Sequence, residues 1–232
     1  MGLKEDLESE IKNIFREAWT IRDGEVVPEP EDLKLSNDGV RMEATILYAD
    51  LAESTQLVDS QTETFAAEIY KTYLICAARI IKEQNGVITA YDGDRVMGVF
   101  KDGTKNTNAV RAALMINYAV NEIVNPALKG VYSSSTYTVR QTVGIDVSKL
   151  LVSRIGVRND NDLVWVGRAA NYAAKLSSLN SGYKTYITYS VYDHMLDEVR
   201  YGGLLNQNMW TQLTWSGMNN LRIYGSSWQW AV

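Results

Sequence analysis

The chain has 232 residues, 46% of them hydrophobic and 22% charged, with a formal net charge of −5. That is room for one well-packed domain with additions, or for two small ones, and the charge argues against a general binder of duplex nucleic acid while leaving room for a basic pocket that takes one nucleotide. Cys76 is the only cysteine, so no intrachain disulfide is possible and a cytoplasmic setting is expected; no apolar run approaches membrane-spanning length, and Met1–Asp6 has no signal-peptide core.

Residues 3–18 read as an amphipathic helix, with Leu7, Ile11, Ile14 and Phe15 on a side that needs a partner in this chain or another. Residues 23–40 hold two of the three prolines and scattered acids, and read as a loop. A first strand is expected over 41–49, then a long helix over 62–84 whose apolar residues recur at helical spacing, ended by Asn85-Gly86. Val87–Tyr91, Asp92-Gly93 and Asp94–Lys101 predict a hairpin. A second helix is expected over 106–124, broken by Pro126 and Gly130, with a Ser-rich loop at 127–135. Strands at 136–146 and 149–155, a polar turn at 158–162 and a short strand at 163–166 follow. Gly167 opens a third helix to Leu179, residues 184–188 a strand and 189–196 a short helix. The Trp-rich tail, 209–232, reads as two edge strands.

The order to residue 146 is β-α-β-β-α-β. It predicts an α+β fold with a ferredoxin-like core, an antiparallel sheet with helices on one face. The expected divisions are an N-terminal helix and loop (1–40), a main domain (41–200) and C-terminal strands packing on it (201–232).

In such a core the strands ending in Asp50 and beginning at Asp94 are central neighbours, which brings two carboxylates together. Taken singly, Asp50 reads as a helix cap and Asp94 as a turn former. Taken as a pair in this topology, they suit two Mg²⁺ or Mn²⁺ ions and the oxygens of a phosphoryl transfer. His194 and Cys76 carry no accompanying ligand pattern and read as structural.

The stretch Tyr48-Ala49-Asp50-Leu51-Ala52-Glu53-Ser54-Thr55 resembles the first metal motif of class III nucleotidyl cyclases, and Asp92-Gly93-Asp94-Arg95-Val96-Met97-Gly98-Val99-Phe100 resembles the second. Val143–Val147 is similar to the next family strand, and Trp165–Lys175 to the family's Asn/Arg helix. The resemblance spans about residues 40–195. It implies a head-to-tail homodimer with two interfacial sites. Asp50, Asp94 and the Leu51 backbone would hold the metals, and the backbone of Leu51, Ala52, Glu53, Ser54 and Thr55 the triphosphate. The partner would supply Asn171 to orient the ribose and Lys175 to stabilise charge on the α-phosphate. Lys175 departs from the family's usual Arg and lacks its planar fork; Arg168, nearby on the same helix, could share the task.

The family's purine-reading positions are Ala90 and Val164 here, and neither carries a purine reader. Tyr48 adds bulk, which favours a smaller base, and Arg95 supplies donors to carbonyl oxygens. The structural alternatives are a core aromatic for Tyr48 and a surface pair with Asp92 for Arg95. With this pattern the chain resembles the pyrimidine cyclases of Pycsar antiphage systems. That implies cyclic UMP or cyclic CMP as a messenger for a separate effector protein. Because Arg95 presents donors only and uracil offers two carbonyl acceptors, UTP is the favoured substrate. Charge and hydropathy argue against duplex nucleic acid and membrane as partners. A cytidylate cyclase, an adenylate cyclase and a silent nucleotide-binding module of the same fold are the alternatives.

Overall fold

The computed structural model describes residues 2–157 and 159–232. Met1 and Arg158 lie outside the described residues, so the start of the polar turn expected at 158–162 is not described. The chain forms two compact units, one from the residues up to Glu43 with Lys149–Gly167, the other from Ala44–Ser148 with Arg168–Val232.

In chain order the elements begin with α1 (Leu3–Arg16), β1 (Thr20–Asp23) and β2 (Asp38–Leu51). Next come α2 (Ser54–Ser60), α3 (Glu63–Glu83), β3 (Val87–Asp92), β4 (Arg95–Phe100) and α4 (Lys105–Tyr118). A π-helical segment, Ala119–Val124, joins α4 to α5 (Asn125–Val131). Then follow β5 (Gln141–Val157), β6 (Asp160–Val166), α6 (Arg168–Ser177), β7 (Thr185–Thr188) and α7 (Tyr189–His194). The chain closes with a hairpin of β8 (Tyr201–Gly202) and β9 (Gln207–Asn208), then β10 (Thr211–Trp215) and β11 (Leu221–Ser226).

In the first unit, β1 runs parallel to the opening residues of β2, and β6 folds back antiparallel on the second half of β5. No residue of α1 is buried; Leu7, Ile11, Ile14 and Phe15 are all exposed. The expected amphipathic helix is there, and its apolar stripe faces outward.

In the second unit the strands lie in the order β10-β11-β7-β5-β2-β4-β3. The β2–β4 neighbourhood is the one expected. Along β2, Leu47, Ala49 and Leu51 enter a core with Phe65, Ile69, Tyr73 and Ile81 of α3 and Ala109, Ala113 and Ile116 of α4. Alternation then puts Tyr48 and Asp50 on the opposite face.

Several expectations are corrected. The sheet is mixed, because β5 and β7 pair in parallel (Val143↔Thr185, Ile145↔Ile187); a crossover that includes α6 returns the chain in the same direction. Helices cover both faces. Val143, Ile145 and Ile187 join the α3/α4 core, while the intervening Gly144 and Tyr186 face α6. The helix expected over 62–84 is α3, which Thr62 caps by accepting from the Phe65 amide at 3.3 Å, but a further short helix not expected from the sequence, α2, precedes it. Pro126 does not break the second helix. It sits in the first turn of α5, where its missing N–H costs little, after the wider π turn. The strands expected at 136–146 and 149–155 are one strand, β5, as no Gly or Pro interrupts Val147-Ser148-Lys149. Of the two tail strands only β10 lies at the sheet edge; β11 lies between it and β7. Cys76 is half-buried against the core, and His194 is exposed, its ring Nδ1 2.8 Å from the Ser190 carbonyl.

Candidate active site

The β3–β4 hairpin positions half of the site. Gly93 takes φ +61° while Asp94 keeps an ordinary negative φ, the pattern of a type II′ turn with Gly first. Asp92 and Arg95 are therefore the closing pair, and Asp94 occupies the turn itself. The Leu51 amide donates to the Asp94 carbonyl at 3.4 Å, which fastens the turn to the end of β2.

Cross-strand register then builds two rows. One runs Asp92, Arg95, Asp50 and the next Ala90, Met97, Tyr48. The Asp92 carboxylate accepts from Arg95 Nε at 3.1 Å and also from Nη2, and the guanidinium lies over the Tyr48 ring, 5.6 Å from its centroid.

Asp50 is partly buried, and its pKa is pushed up to about 6, first by desolvation and then by the neighbouring charge of Asp94. Burial likewise raises the Tyr48 phenol, with Arg95 pulling it back. Beside these groups opens a cavity of about 650 Å³ lined by Asp50, Asp94, Arg95, Arg140 and Lys184 and by the whole of Leu51–Thr55. The loop is bent by Glu53 at φ +62°, ahead of α2, and is tied down by the Ala52 amide donating to the Arg140 carbonyl at 2.9 Å. Arg140 Nη1 donates to both Glu53 carboxylate oxygens, at 3.1 and 3.0 Å.

Of the carboxylates on the cavity wall, Asp50 and Asp94 offer a hard-oxygen donor set, and the Leu51 side chain is buried in the core, so only its backbone could contribute. Among the described residues no group of three or more His, Cys, Asp or Glu could hold a metal. The remaining ligands would be water and phosphate oxygens, the habit of Mg²⁺ and Mn²⁺. The pKa of Asp50 is raised first by desolvation and second by the charge of Asp94, and a bound cation would favour the ionised carboxylate against both, so the two acids fit a divalent ion.

The other expected residues lie elsewhere. Asn171 and Lys175 are exposed on α6, and neither lines this cavity. Lys175 Nζ is 3.7 Å from Met218 Sδ and shares a shallower cavity of about 480 Å³ with Arg95 and Trp215. Arg168 forks onto Asp146 and also donates to the Val147 carbonyl at 2.7 Å. Val164 lies in β6 of the first unit. Sequence reading missed Arg140, Lys184 and Met97. The Arg140–Glu53 pair joins residues far apart in sequence, and Met97 is marked only by the strand register.

No family model matches the chain. The chain is 48% identical over 233 residues to a uridylate cyclase of Xanthomonas perforans and 45% identical over 234 residues to one of Burkholderia cepacia, covering 100% of each relative and of itself. Among solved structures, the guanylyl cyclase Cya2 superposes with a TM-score of 0.69 at 20% identity, over 83% of this chain and 95% of that one. The adenylyl cyclase CyaB from P. aeruginosa gives 0.62 at 20% identity, over 81% and 95%.

Proposed function

The chain belongs to the uridylate cyclase family and is a nucleotidyl cyclase, and from that premise we propose that it converts UTP to 3′,5′-cyclic UMP and pyrophosphate. The observation that carries the choice of base is the pair Arg95 and Tyr48 beside Asp50. Arg95 presents only donors, which suit the two carbonyl oxygens of uracil, and the Tyr48 ring takes up room that a purine would need. Ala90, in the same row, is too small to contribute a hydrogen bond of its own.

In this reading Asp50, Asp94 and the Leu51 carbonyl would hold two divalent cations, Mg²⁺ or Mn²⁺, which would supply charge stabilisation for the 3′-alkoxide and the departing pyrophosphate. The chain's own residues do the rest. The backbone of Leu51–Thr55 holds the phosphates, and Arg140 and Lys184 add positive charge to a wall that also carries Arg95 and several acids. Asn171 orients the ribose and Lys175 stabilises charge on the α-phosphate. Both lie away from the cavity that holds Asp50 and Asp94 of the same chain, which supports their delivery by a second copy in a head-to-tail homodimer. The product would serve as a messenger read by a separate effector in antiphage defence, as the likeness to the Pycsar cyclases suggests. Among the described residues no helix is long and apolar enough to cross a membrane.

The test is incubation with ATP, GTP, CTP or UTP and Mn²⁺, with products identified by mass. Dominant cyclic UMP is the expected result. Dominant cyclic CMP would move the assignment to a cytidylate cyclase, and dominant cyclic AMP would overturn the reading of Tyr48 and Arg95.

A further inference from the structure

Arginine is a poor reader of a base edge unless its fork is held. Its side chain carries roughly 2 kcal/mol of rotamer entropy, and its donors point wherever the last torsions put them. Here they are held. Asp92 takes the Nε–H and one Nη2–H on a single oxygen, Oδ2. Arg95 has no other hydrogen-bond partner among the described residues, so its Nη1 hydrogens and the second Nη2 hydrogen remain for a ligand. The opposite restraint is the Tyr48 ring beneath the guanidinium. The clamp is built locally, because Asp92 and Arg95 close the two-residue Gly93-Asp94 turn and the turn fixes their spacing.

Structure alone does not need this pair. The Asp92 side chain is 69% exposed and that of Arg95 33% exposed, and ion pairs so open to water contribute little to stability. Arg95 also borders both the cavity of Asp50 and the shallower one of Lys175 and Trp215, so its direction decides which of them its donors serve.

We propose that Asp92 is a positioning residue for substrate selection, holding the Arg95 guanidinium over Tyr48 so that its free donors meet the carbonyl edge of a pyrimidine base. The inference rests on the reading of Arg95 as the base-reading group. The base would see the Asp92–Arg95–Tyr48 stack as one rigid surface, with Met97 and Ala90 beside it.

The test compares wild type with Asp92→Ala, Asp92→Asn, Arg95→Ala and the Asp92→Ala/Arg95→Ala double variant. KM, kcat and the Kd of each of the four nucleoside triphosphates are measured, so that a slow preparation still yields the comparison. Asp92→Ala is expected to raise KM and Kd for UTP about tenfold, the scale of one charge-assisted hydrogen bond, while kcat stays within about twofold. The preference for UTP over ATP should narrow by a similar factor. Asp92→Asn, which keeps an acceptor oxygen, should fall between, and Asp92→Ala should add nothing in the Arg95→Ala background. A preference that Arg95→Ala removes and Asp92→Ala leaves intact would overturn the role of Asp92 alone. A wild-type preference that Arg95→Ala does not touch would overturn the reading of Arg95, and this inference with it.

Discussion

Arg168 forks onto the fully buried Asp146, with Nε 2.9 Å from Oδ2 and Nη2 3.2 Å from Oδ1. The same carboxylate accepts from Thr188 Oγ1 at 2.5 Å. Burial pushes Asp146 up from the usual carboxylate range, and Thr188 and Arg168 pull it back. Arg168 thus ties the start of α6 to β5 and, through Asp146, to Thr188 of β7. Arg168→Ala would leave Asp146 charged, buried and without its cation, at a cost of roughly 3 kcal/mol. The expected outcome is a lower urea midpoint, partly recovered when Asp146→Asn is added. An unchanged midpoint with abolished turnover would return Arg168 to the chemistry.

Asp50 predicts a pH dependence of stability. Its folded pKa of about 6 lies above the unfolded value of about 3.9, so the folded state binds this proton more tightly. The resulting stabilisation is full below about pH 3.9 and is lost as pH rises through 6. Without divalent cation, Tm should fall more between pH 4.5 and 7 in wild type than in Asp50→Asn. Above pH 6, Mn²⁺ should raise Tm in wild type and much less in the variant. Equal slopes in both proteins would show that Asp50 titrates normally.

Much of the site was legible because it is local. Asp-Gly marks the hairpin, helical spacing marks α3, and the two acids sit at strand ends that the β-α-β-β order makes neighbours. Even the Arg95–Asp92 pair could be read from spacing across the turn. The unread parts depend on what is distant in sequence. All four residues of β1 are exposed, so they carry no alternation. Glu53 meets Arg140 and Asp146 meets Arg168 only after the sheet has formed. Parallel pairing of β5 with β7 follows from the crossover, not from either strand's composition.

Gly144 is where β5 lets α6 come close. A Cβ there would lie 2.2 Å from the Ala173 carbonyl oxygen and 2.4 Å from the Ser177 amide nitrogen, both backbone atoms. Gly144→Ala must therefore shift the helix, at about 1–3 kcal/mol. Because α6 carries Asn171 and Lys175, activity should fall further than the folded fraction does. Turnover normalised to the folded fraction by circular dichroism checks this. A loss that matches unfolding alone would mean that the placement of α6 is not critical.

Lys175 gives the sharpest test of how the site is assembled. If it stabilises charge on the α-phosphate, Lys175→Ala should lower kcat by roughly 10²–10³ with little change in KM, the scale of removing one preorganised donor. Lys175→Arg keeps the charge and should retain much of the activity. The decisive experiment mixes two dead chains. Asp50→Ala and Lys175→Ala, co-expressed with different tags, should complement, because a heterodimer of a head-to-tail pair carries one doubly damaged site and one intact site. With random pairing, about a quarter of wild-type sites would be restored. Recovery near that level would show that Asp50 and Lys175 reach one substrate from different chains. No recovery, with heterodimers confirmed by pulling on both tags, would place both residues in the same protomer's site and require Lys175 to leave Met218 and swing toward Asp50.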